Sequence, residues 1–113
     1  MGSQSDITIM AKTIWGEARG EDYQGQVAVG WVIRNRCEEG GWFGNSIREV
    51  CLKPYQFECW NSDNCNKAQM DRLTENSSAL RGMMAIAKGN HSQHHSCHSF
   101  SLLLLIKSTS KFK

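Results

Sequence analysis

Among the 11 acidic residues of this 113-residue chain, Glu17 stands in the surroundings best suited to acid catalysis. It lies in Ile14-Trp15-Gly16-Glu17-Ala18-Arg19-Gly20-Glu21, beside a large aromatic ring and between two glycines that let another chain or a substrate come close. Cleaving a glycosidic bond needs a proton donor set against the leaving oxygen, in a site dry enough to keep a carboxylic acid protonated near neutral pH. Glu17 suits that need. Its structural alternatives are a surface pair with Arg19 or Arg34, or a cap on the following helix. Glu21 is a second carboxylate, or a first-turn residue favoured by the dipole of the next helix.

Flat apolar rings stack on sugars, and Trp15, Trp31, Trp42, Trp60, Tyr55 and Phe57 supply such faces. Most are expected to be core. Trp31 lies within an apolar helical run and reads as packing, whereas Trp60 borders the polar loop Asn61-Ser62-Asp63-Asn64 and is the better cleft residue. Gln56, Asn61 and Asn35 carry amides that can bond sugar hydroxyls or acetamido groups, or equally satisfy the backbone.

Two other clusters carry less. His91, His94, His95, Cys97 and His98 lack a second pair of ligands on a folded scaffold, so no metal or other cofactor is assigned. Five cysteines, Cys37, Cys51, Cys59, Cys65 and Cys97, form no Cys-x-x-Cys pair and are odd in number. They read as small, partly buried thiols, with one bridge in the Cys51 to Cys65 loop as the alternative.

These groups need elements to hold them. Ser5 or Asp6 caps a helix whose apolar positions Ile7, Met10, Ala11, Ile14 and Ala18 share one face, ending near residues 16–20. A second helix spans about Tyr23 to Cys37, with Val27, Ala28, Val29, Trp31, Val32 and Ile33 around most of its circumference; it is expected to be the central core helix. After Gly40-Gly41, residues 46–51 read as a short helix before Pro54. Residues 55–60 alternate polar and apolar and read as a short strand or extended loop. Residues 67–73 and 77–88 read as helices, the last capped by Ser77 or Ser78 and stopped by Gly89.

A chain this long suits one domain, and 40% hydrophobic residues suffice for a core. The formal charge of +2, with basic residues scattered, argues against nucleic acid. No apolar run approaches the roughly 20 residues that cross a bilayer. The first residues lack the pattern of a secretory signal, so cytoplasmic synthesis is expected. Composition changes after Gly89: all 11 acidic residues and all 10 glycines precede residue 90, whereas residues 90–113 hold all four histidines and six serines.

The blocks Ala11 to Glu21, Gly25 to Val29, Val32 to Arg36, Ile47 to Val50 and Gln56 to Trp60 resemble the SleB-type cell-wall hydrolase family over most of residues 6–89. The resemblance implies a mainly α (α+β), lysozyme-like helical domain with a small β element, acting on peptidoglycan at the cell wall during phage lysis or after export by another route. It implies cleavage between N-acetylmuramic acid and N-acetylglucosamine, with the family's catalytic glutamate falling on Glu17 and no metal required. A single carboxyl group suits a lytic transglycosylase, which needs no carboxylate pair; a hydrolytic muramidase is the alternative. Trp60, Gln56, Phe57, Trp15 and Asn35 are the expected substrate-binding residues. Family members continue with a Gly-Ala-Thr-His-aromatic type motif, where this chain runs into Asn90-His91-Ser92-Gln93. The expectation is a catalytic domain over residues 1–89, truncated, with a frameshifted or disordered tail over 90–113. A non-catalytic remnant that binds glycan is the competing reading.

Overall fold

The structure, a computed structural model, describes residues 5–89. These form α1 (Asp6–Ala18), α2 (Tyr23–Glu39), a 3-10 turn at Gly41–Phe43, α3 (Ile47–Leu52), a second turn at Glu58–Trp60, α4 (Lys67–Arg72), a third turn at Ser78–Leu80, and α5 (Arg81–Ala87). The expected mainly helical class is borne out, and none of these helices is long and apolar enough to cross a membrane.

Local chemistry sets the helix starts. Ser5 Oγ accepts from the Thr8 amide at 3.1 Å, Asp22 Oδ1 from the Gly25 amide at 2.9 Å, and Ser46 Oγ from the Glu49 amide at 3.1 Å. Each satisfies an orphan donor in a first helical turn. Glu49 reaches back to accept from the Asn45 amide at 2.7 Å, a capping box shifted by one residue. Between α1 and α2, Gln26 Nε2 donates to the carbonyls of Ala18 and Glu21, both at 3.3 Å, which closes a short helical hairpin.

The central helix is α1, not α2. It packs against α2, α3, α5 and the Glu58–Trp60 turn, and buries Ile9, Met10, Ala11, Ile14 and even Thr13 and Lys12. Lys12 is 1% exposed; burial lowers its pKa, while Asp71 opposes that shift. Replacing Ile14 by Ala should cost about 2–5 kcal/mol. On α2 only the stripe Ala28, Val29, Val32, Ile33 and Arg36, with Gly30, is buried, and Trp31 is half-exposed. Gly30 lets α2 lie close to its neighbours: a Cβ there would meet Ile86 Cγ2 at 3.0 Å and Met10 Cε at 3.5 Å.

Residues 55–60 form no strand, and no strand occurs among the described residues. Here the hydrogen bonds stay local: Gln56 N to Lys53 O at 3.1 Å, Trp60 N to Phe57 O at 3.0 Å, and Asn61 N to Glu58 O at 2.9 Å. The alternation that suggests a strand comes from Phe57 and Cys59, each 2% exposed, which turn inward from a single 3-10 turn. The last helix also begins differently. Ser77 Oγ accepts from the Thr74 amide behind it at 2.9 Å, and a 3-10 turn leads into α5. Gly89, at φ 94°, follows α5 as expected of a stop.

Candidate active site

Glu17 lies half-buried in the last turn of α1. Its neighbour Gly16 explains how it is held. A Cβ on Gly16 would stand 2.5 Å from Cys59 Cβ and 2.7 Å from Cys59 Sγ, so only glycine lets the Glu58–Trp60 turn lie flat on α1. That contact brings the Cys59 amide to Glu17, where it donates to Oε2 at 3.3 Å. The close approach read for Gly16 is thus made by the chain itself. Gly20 meets nothing within 4 Å.

Arg36 completes the inner side of the site. It is 8% exposed, and its Nη1 donates to Gln56 Oε1 at 3.3 Å. The guanidinium lies 5.4 Å from the centre of the Phe43 ring and 5.2 Å from that of Phe57. Burial lowers the Arg36 pKa, and the nearby charge of Glu17, then that of Cys51, acts against this shift. A buried cation without a counter-charge is costly, so Glu17 and Arg36 support one another. Arg36 is not among the site residues expected from sequence. A signal exists: it follows Val29, Val32 and Ile33 at i+7, i+4 and i+3, which places a charge on the buried stripe of α2.

The other expected site residues divide. Gln56 and the fully covered Phe57 both contact Arg36, and Phe57 offers no open face to a ligand. Trp60 is half-buried, its indole Nε1 donating at 2.8 Å to Thr13 Oγ1, which itself donates to the Ile9 carbonyl at 2.8 Å. Trp15 is 9% exposed beneath the Arg19 guanidinium, 4.2 Å from its ring centre, and Arg19 Nη2 reaches Asn66 Oδ1 at 2.9 Å. Asn35 is half-buried on α2, and Glu21 is exposed in the hairpin between α1 and α2. Two surface hollows, one beside Thr8 and Asp71 and one beside Trp31 and Arg34, are not lined by Glu17.

Cys37, Cys51, Cys59 and Cys65 carry free thiols, so the bridge considered for the Cys51 to Cys65 loop does not form. Cys51 is wholly buried, and burial pushes its pKa from 9.0 to about 12. The histidine cluster and Cys97 lie outside the described residues, as does the whole stretch 90–113. Among the described residues, no group of three or more His, Cys, Asp or Glu is placed to hold a metal ion.

Comparison with known proteins places this geometry in context. The chain is 47% identical over 55 residues to the spore cortex-lytic enzyme of Bacillus cereus, an alignment covering 49% of this chain and 21% of that protein. The spore cortex-lytic enzyme of Oceanobacillus iheyensis is also 47% identical over 55 residues, covering 49% and 20%, and that of Bacillus subtilis is 46% identical over 55, covering 49% and 18%. The alignments thus span about a fifth of each relative's length. No solved structure matches significantly. The sequence model for cell wall hydrolases matches residues 20–101, a stretch that starts just after Glu17 and contains Arg36, Gln56, Cys59 and Trp60. By that match over most of its length, the chain belongs to the cell wall hydrolase family.

Proposed function

We propose that this chain cleaves the glycan strand of peptidoglycan between N-acetylmuramic acid and N-acetylglucosamine, at the cell wall, as a lytic transglycosylase. Glu17 acts first as acid, protonating the leaving glycosidic oxygen as its bond to the anomeric carbon breaks. The resulting carboxylate then takes the proton of the muramic 6-hydroxyl while that oxygen attacks the anomeric carbon, closing a 1,6-anhydro ring. The protein begins and ends the cycle with one proton on Glu17.

The observation that carries this reading is the hold on Glu17: the Cys59 amide donates to its carboxyl group in the last turn of the core helix, within electrostatic reach of the buried Arg36. A positioned acid is worth roughly 10²–10⁴ in rate. The family assignment and the relatives' name, spore cortex-lytic enzyme, support peptidoglycan as substrate. Trp60 and Asn35 remain the proposed direct glycan contacts, while Trp15, covered by Arg19, supports the site from beneath as Gln56 and Phe57 do.

Digestion of purified peptidoglycan followed by mass analysis of the muropeptides tests the reaction type. Products ending in anhydromuramic acid are expected. Reducing ends would make the enzyme a hydrolytic muramidase, and binding without release would make the chain a glycan-binding remnant.

A further inference from the structure

Two large aromatic side chains next to the support of Glu17 are left in solvent: Trp42 is 67% exposed and Tyr55 is 69% exposed. Neither is placed at random. Lys53 Nζ lies 4.6 Å from the centre of the Trp42 ring, and Phe43 meets that ring edge-on at 5.4 Å with 73° between the planes. The indole is therefore oriented by its neighbours while staying open to solvent.

Tyr55 is held by its backbone instead. At φ 67° it is the non-glycine residue in the left-handed region among those described. That conformation is strained for a bulky side chain, and burial of the ring does not offset it. What the strained turn achieves is placement: it holds Tyr55 outward while Gln56 turns inward to Arg36.

The two loops meet on that guanidinium. Phe43, next to Trp42, packs on Arg36, and Gln56, next to Tyr55, accepts its hydrogen bond. Arg36 in turn lies within electrostatic reach of Glu17. The exposed aromatics thus each sit next in sequence to a residue that touches Arg36.

We propose that Trp42, Lys53 and Tyr55 form a docking platform for the peptidoglycan strand. The two rings stack on sugar faces, and the Lys53 ammonium meets carboxylates of the peptide stems. The proposal rests on the peptidoglycan reading above. It adds three binding residues to the contacts proposed at Trp60 and Asn35.

The test is co-sedimentation of the full chain with insoluble peptidoglycan, in a Glu17→Gln background so that the polymer stays intact. Trp42→Ala and Tyr55→Gly should each weaken binding by about three- to tenfold, the scale of one aromatic stacking contact. Their combination should weaken it further. Lys53→Gln should weaken binding and reduce its sensitivity to salt. Tyr55→Gly carries a second signature: relief of the positive φ should raise the thermal midpoint even as binding falls.

Unchanged affinity in the double variant would overturn the platform while leaving the catalytic reading intact, provided the chain with Glu17 still releases muropeptides. Neither binding nor release by the unmutated chain would remove both. If sedimentation velocity shows a dimer that Trp42→Ala with Tyr55→Gly converts to monomer, the patch is a self-association surface and the proposal fails.

Discussion

Arg34 and Arg36 stand two residues apart on α2 and face different parts of the molecule. Both lose solvent, and burial lowers the pKa of each. Arg34 spends its hydrogens on backbone, with Nη2 at 3.2 Å from the Ile86 carbonyl and 2.6 Å from that of Ala87 at the end of α5. A cation there satisfies orphan carbonyls and meets the negative end of a helix. Arg36 instead gathers side chains: two phenyl rings, a carboxamide and the charge of Glu17. The first arrangement finishes a helix. The second brings loops distant in sequence onto one guanidinium.

This contrast can be broken by substitution. Arg36→Met keeps apolar bulk between Phe43 and Phe57 but removes the charge beside Glu17. Muropeptide release should fall about 10²-fold, the scale of losing the position of a reacting group, while the melt stays cooperative. Unchanged release would reduce Arg36 to the same structural part as Arg34. Gly16→Ala attacks the same hold from the other side. A Cβ 2.5 Å from Cys59 must displace the turn that carries the amide to Glu17. Overpacking of this kind costs about 1–3 kcal/mol, so both the thermal midpoint and the activity should drop.

Arg34→Met is the matching control. It strands two carbonyls of α5, and loss of charge-assisted hydrogen bonds costs about 1–2 kcal/mol at a partly exposed site. The midpoint should fall by a few degrees with release per folded molecule unchanged. A drop in turnover as large as that of Arg36→Met would erase the distinction between the two arginines.

The smallest effect at neutral pH concerns Cys51, buried near Arg36. Its folded pKa is raised from 9.0 to about 12, so the folded protein keeps a proton that the unfolded chain releases. The contribution is fully present below pH 9 and is lost as pH rises towards 12. Thermal melts across that range should show the advantage of wild type over Cys51→Ala shrinking steadily. A constant difference would mean that Cys51 is not protonated in the fold at high pH.

The sequence shows helix starts well because they are local: Ser5 and Ser46 each bond an amide three residues on. Burial is less legible. The apolar residues around α2 suggest a core helix, yet Trp31 and Val27 are only partly covered, while α1 takes Lys12 and Thr13 out of solvent because elements close on it from several sides. In the site, Glu17 is visible through its neighbours Trp15 and Gly16. Arg36 meets Gln56 only because α2 and the loop after α3 fold together, and such long-range meetings leave little trace in local pattern. The period of Gln56-Phe57-Glu58-Cys59 fits a strand and a 3-10 turn alike when so few residues are read.

One comparison tests the central claim most directly: muropeptide release from purified peptidoglycan by wild type and by Glu17→Gln, with thermal melts showing both folded. The carboxamide of that variant can still accept from the Cys59 amide but has no acidic proton to give, so release should fall by about 10²-fold or more. Equal rates and identical products from the two proteins would contradict the account and remove Glu17 from the chemistry.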